Sequence, residues 1–117
     1  MSTINNNLKF RTWNTLDQKF SYWELYTQKV TFGTSYPEQY TGLNDKEDKE
    51  IYIGDYIFSV DDLEFYEVTF HKGMFVIKSF DEDKSVVYTP LYEYVSDSVV
   101  YSNIHESTIE ELEKKLN

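Results

Sequence analysis

The chain has 117 residues, enough for one domain, and carries 11 Lys and Arg against 21 Asp and Glu, a net charge of −10. It has no cysteine, which excludes disulfide frameworks, cysteine-ligated zinc and thiol catalysis and fits a reducing cytoplasm. Its acidity argues against direct nucleic-acid binding, because such affinity comes from Lys and Arg displacing counterions from phosphates. No apolar run approaches the roughly 20 residues that span a bilayer, so no membrane segment is expected.

In chain order, residues 1–7 read as a polar lead-in without the basic start and apolar stretch of a secretory signal. Leu8 to Trp13 alternates with the period of a half-buried strand, Leu8 and Phe10 on one face, Lys9 and Arg11 on the outward one. Asn14 to Gln18 is turn-like, and Lys19 to Trp23 alternates again, which predicts a hairpin. Val30 to Phe32 suggests a short third strand, and Gly33 to Glu38 a loop. The run Asn44 to Glu50 has no apolar residue and reads as a protruding loop or tight turn outside the core.

Ile51 to Ile53 restores the apolar pattern, Gly54-Asp55 breaks it, and Tyr56 to Val60 resumes it. Asp61-Asp62 is a turn. Leu63 to His71 is a long strand with Tyr66, Val68 and Phe70 on one face, and Met74 to Phe80 returns after a Lys72-Gly73 hairpin turn. Asp81 to Lys84 is a further turn, Ser85 to Tyr88 a strand, Pro90 marks an edge or loop, and Ser98 to Tyr101 is a last short strand. The tail changes period. Ser107-Thr108-Ile109-Glu110 fits a capping box, and Ile109, Leu112 and Leu116 form one stripe of a helix over 107–116. Eleven tyrosines, eight phenylalanines and two tryptophans suit pleated, half-buried surfaces. The expectation is one mainly β (α+β) domain over 1–117, a small strongly bent sheet or SH3-like barrel of antiparallel strands with a short C-terminal helix.

Three stretches carry a resemblance. They are Lys9-Phe10-Arg11-Thr12-Trp13-Asn14, then Gln39-Tyr40-Thr41-Gly42-Leu43-Asn44-Asp45-Lys46 with Lys49-Glu50-Ile51-Tyr52-Ile53-Gly54-Asp55-Tyr56-Ile57, and Val99-Val100-Tyr101-Ser102-Asn103-Ile104-His105-Glu106. In order and spacing they resemble the YopX family of bacteriophage and prophage proteins. Two departures stand out: Glu47-Asp48 replaces the family's usual Asn-Gly type turn, and Ile53 replaces an acid before Gly54-Asp55. The resemblance implies a phage accessory protein with a β-rich fold that self-associates. It implies no chemistry, so Phe10, Arg11, Trp13, Tyr40, Thr41, Gly42, Leu43, Asp45, Ile51, Tyr52, Gly54, Asp55, Asn103 and Ile104 are read as scaffold. Thr41-Gly42-Leu43 suits a glycine turn, and Asp55 an Asx-type bond to nearby backbone.

Candidate chemistry is sparse. His71 and His105 are the two histidines, and neither has a serine or acid at diagnostic spacing, so no catalytic group is assigned. Asp61-Asp62 and Asp81-Glu82-Asp83 lack the ligand pattern of a calcium loop and read as solvated turns, so no metal or cofactor is expected. The four glycines are scattered and form no phosphate loop. Lys9 and Arg11 on their outward face can answer a phosphate, but two bases do not support duplex binding.

Charge is uneven: residues 1–60 hold 8 acids and 6 bases, net −2, and residues 61–117 hold 13 acids and 5 bases, net −8. The ordinary reading of that charge is solubility; the sharper one is an acidic interaction surface of Asp61, Asp62, Glu64, Glu67, Asp81, Glu82 and Asp83 that meets a basic host protein. Three roles follow as expectations: a non-enzymatic binder that modulates or inhibits a host protein, an oligomer that sequesters a nucleotide signal with Tyr and Trp stacking and Lys9 or Arg11 on a phosphate, and a structural homo-oligomer.

Overall fold

Alternation of apolar and polar residues favours strands, nine of them among the described residues, and their pairing sorts them into two antiparallel sheets. The computed structural model describes residues 8–24 and 36–116. The lead-in 1–7 and the expected strand Val30 to Phe32 lie outside the described residues. Strands β1 (Lys9–Asn14), β2 (Lys19–Glu24), β3 (Glu38–Asn44) and β4 (Glu50–Tyr52) form one sheet in the order β2-β1-β3-β4. Strands β5 (Asp55–Ser59), β6 (Glu64–His71), β7 (Met74–Phe80), β8 (Val86–Pro90) and β9 (Ser98–Asn103) form the second, in the order β8-β7-β6-β5-β9. One of the two curls into a half-barrel, and a short helix α1 (Ile109–Lys114) follows. Among the described residues no helix is long and apolar enough to cross a membrane.

The five-stranded sheet buries both faces in part. Tyr66, Val68 and Ile77 point to the side where Ile51 of β4, Ile57 and Leu91 complete the main core. Leu91 lies in a 3-10 turn, Leu91–Glu93, followed by a second over Val95–Asp97. Phe65 and Tyr56 point to the other side, where Leu112 of α1 is 1% exposed. Phe70 shares the face of Tyr66 and Val68 but lies at the open end of β6, half in solvent.

Local chemistry fixes the turns. Lys72 and Gly73 both take positive φ (51° and 83°), the two left-handed residues of a tight hairpin turn whose twist matches its strands. Gly42, with φ of 83°, lies inside β3 at a register shift between Tyr40 and Asn44, not in a turn that closes a strand; its freedom makes the bulge. Pro90 ends β8 at the sheet edge, where a missing N–H costs no ladder bond. The helix is shorter than expected, and its N-cap is Thr108, not Ser107. Thr108 Oγ1 accepts from the Glu111 amide at 3.2 Å, while Glu111 accepts from the Thr108 amide at 2.9 Å. Leu116 falls beyond the helix and is exposed.

Candidate functional site: a buried clasp and an acidic sheet end

β1 brings Arg11 inward, opposite to its expected outward placement. Its side chain is 4% exposed. Nε donates to Glu38 Oε1 at 2.8 Å, and one terminal nitrogen pairs with Asp55 Oδ1 at 2.8 Å. The guanidinium also lies 3.9 Å from the centre of the Phe20 ring, a cation–π arrangement. A buried charge is tolerated when opposite charges and hydrogen bonds replace its water, and both are present here. Lys9, by contrast, remains part-exposed and donates to Glu50 at 2.6 Å.

Glu38 is the second surprise. Its other carboxylate oxygen, Oε2, lies 2.7 Å from His105 Nε2, within hydrogen-bond distance. The imidazole is stacked on Trp13, with centroids 5.2 Å apart and planes 5° apart. Gly54 packs directly beneath: a Cβ there would come within 2.8 Å of Glu38 Oε2, and its φ is +95°. Glycine is therefore required both by space and by backbone conformation. Asp55 Oδ2 accepts from the Tyr52 amide at 2.8 Å, the expected Asx-type bond, directed back toward β4. Arg11, Glu38, Asp55 and His105 thus form one chain of polar contacts that ties the two sheets together.

Burial pushes the Asp55 carboxyl up to about 6, against the opposing pull of Arg11 and the Tyr52 amide. Burial also works against the charge on Arg11, but Asp55 and Glu38 outweigh it and raise that pKa.

Asp45 makes a second tie and corrects the reading of its run as wholly outside the core. It is 7% exposed. Oδ1 accepts from the Glu47 and Lys49 amides at 2.8 and 2.9 Å, and Oδ2 accepts from the Val100 amide of β9 at 2.7 Å. The Lys46 amide donates to Ser98 O at 3.0 Å beside it. Lys46 to Lys49 form an exposed turn, while Asn44 ends β3 and Glu50 begins β4, both half-buried.

Above the clasp lies an open cleft of about 410 Å³, walled by Phe20, Tyr22 and Tyr52 and carrying Lys49, Glu50 and Glu106. Arg11 is at its floor, with its charge already matched by two carboxylates. The cleft therefore offers a phosphate less positive charge than the outward Arg11 of the sequence reading would have. The His71 ring stacks on Tyr88, with centroids 3.8 Å apart.

The acidic residues sort differently from their sequence grouping. Ser59 pairs with Glu64 and with Ser98, and Phe80 pairs with Val86, so the turns holding Asp61-Asp62 and Asp81-Glu82-Asp83 lie at one end of the five-stranded sheet. The register of β6 on β7 carries Glu64 to that end, and Asp97 precedes β9 there. Asp62 and Glu64 converge on Tyr66, whose hydroxyl donates to Asp62 at 2.7 Å and lies 3.0 Å from Glu64. Burial, then those two carboxylates, raise the Tyr66 pKa and keep the hydroxyl protonated. Asp81 turns its carboxylate onto its own loop, accepting from the Asp83 and Ser85 amides at 2.9 Å. Glu67 does not join the group: it is half-buried on the opposite face of β6, across from Lys78. Leu63 and Phe80 are exposed among these acids. Glu64 and Phe80 share a cleft of about 300 Å³ with Ile109, Glu110 and Glu113, which carries the acidity onto α1.

A family model described as YopX protein matches residues 28–110. That range takes in the second and third motif stretches and leaves out Lys9 to Asn14. No curated protein matches the chain.

Proposed function

The chain belongs to the YopX family, and from that premise we propose that it is a phage- or prophage-encoded accessory protein that acts in the host cytoplasm by binding, not by catalysis. Its target is a basic host protein, which it modulates or inhibits through the acidic end of the five-stranded sheet. The observation that carries this reading is that Asp61, Asp62, Glu64, Glu82 and Asp83 lie at one end of the five-stranded sheet, where Leu63 and Phe80 are also exposed. Carboxylates steer a basic surface into place, and large apolar side chains supply the desolvated anchor that charge alone does not.

Two variants test it. Asp61→Asn/Glu64→Gln/Glu82→Gln/Asp83→Asn removes charge at the sheet end, and Asp17→Asn/Glu47→Gln removes charge on the four-stranded sheet. Capture of basic proteins from host lysate, identified by mass spectrometry, should fall about tenfold or more for the first and stay near wild type for the second. Equal loss with both variants, or none with either, overturns the reading.

A further inference from the structure

A sheet edge is an open row of backbone donors and acceptors, and proteins usually blunt it with charge, shortness or a covering segment. Among the described residues the two sheets have four edges. β2 carries Lys19 and Glu24, and β4 is only Glu50–Tyr52. The outer side of β9 is occupied by the Asp45 carboxylate on the Val100 amide and the Lys46 amide on Ser98 O. Among the described residues β8 has none of these protections except Pro90 at its end. Its Val86, Val87 and Tyr88 are 43%, 38% and 40% exposed, and it holds no charged residue. Asp81, Glu82 and Asp83 stand in the turn before it, separated from it by Lys84 and Ser85 and net negative, with exposed Phe80 beside them.

We propose that the outer edge of β8 receives an extended segment of the partner as an added antiparallel strand, a run of β-branched or apolar residues followed by Lys or Arg. This rests on the reading that the acidic end meets a basic protein, and it specifies how. In antiparallel pairing the C-terminal end of the guest strand lies beside the Asp81–Asp83 turn, so that is where its basic residues belong. Main-chain bonds supply the affinity and the acids choose the direction. A second copy of the chain fits less well, because antiparallel pairing of β8 with itself sets the acidic turn of one copy near Glu93 of the other.

The probe is a synthetic peptide of alternating valine and threonine ending in a short run of lysines, added to the full chain and followed by amide hydrogen exchange. Bound peptide should slow exchange in Val86 to Thr89 about tenfold or more and leave β2 and β4 unchanged. A peptide of the same sequence, methylated on alternate backbone nitrogens, keeps its charge but cannot extend the sheet, and should lose that protection. Equal binding by the methylated peptide overturns strand addition while leaving the acidic surface intact. Protection of β8 that rises with protein concentration and needs no peptide assigns the edge to a second copy and also overturns it. Failure of the acidic end itself shows separately, as lysate capture indifferent to Asp61→Asn/Glu64→Gln/Glu82→Gln/Asp83→Asn.

Discussion

Arg11 keeps its charge in the interior because Glu38 and Asp55 each bring an oxygen to 2.8 Å. Removing one member of such a pair leaves an uncompensated buried charge, which costs about 3–5 kcal/mol. Asp55 adds a pH dependence of definite sign. Folded, it holds its proton up to about 6; its ordinary value is 3.8. Between those values the folded state binds more protons than the unfolded one, so this group's contribution is full below 3.8 and is lost as pH rises through 6. The loss approaches about 3 kcal/mol. Asp55→Asn lacks it, so the stability of wild type relative to this variant, from urea unfolding, should fall between pH 4 and pH 7. Parallel curves would show that Arg11 holds the carboxyl ionised throughout. None of this was legible in β1 itself. A lone alternating strand places Arg11 outward by polarity, and its partners stand 27 and 44 positions away in the sequence, beyond the reach of periodicity.

At the scale of elements, the legible parts were those whose cause is local. The β6–β7 hairpin follows from alternation and from Lys72-Gly73, and both strands fall close to their expected bounds. The 3-10 turns after Pro90 have no periodic signal, and what fixes them is the burial of Leu91 in the core. The helix start shows a different limit. Ser107–Glu110 and Thr108–Glu111 both satisfy the capping pattern, and local sequence does not choose between them. Starting at Thr108 puts Leu112 under Phe65 and Tyr56. Thr108→Ala should therefore cost about 1 kcal/mol in chemical denaturation, and Ser107→Ala clearly less. The reverse order would place the cap one residue earlier.

At the scale of the whole molecule, the clasp and the Asp45 tie bind two sheets that each lack a complete core, since Ile51 of one fills the face of the other. Both tryptophans, Trp13 and Trp23, belong to the four-stranded sheet. Tryptophan fluorescence therefore reports on that sheet, while near-ultraviolet tyrosine signals come largely from both. The two unfolding curves in urea should coincide, as they do for a single cooperative unit. A fluorescence transition at lower urea would mean that the sheets come apart before they melt. The mainly β class was open to sequence reasoning through aromatic content and alternation; the division into two sheets was not, because it depends on which edges meet. The acidic end was legible as composition, and its membership was decided by register, which excludes Glu67 and brings in Asp97.

The bond between Glu38 and His105 joins residues 67 positions apart. A ribosome delivers the chain from its N-terminus, so Glu38 is made long before its imidazole partner exists, and Arg11 earlier still. During that interval β1 and β3 can pair and Arg11 can meet Asp55, but the His105 and Asp45 fastenings wait for β9 and the residues after it. Closing the sheets together means bringing distant stretches together before any reward is gained, which makes for slow folding. The nascent protein thus spends its youth with a half-latched seam, and its final shape is set late, when the residues after β9 emerge.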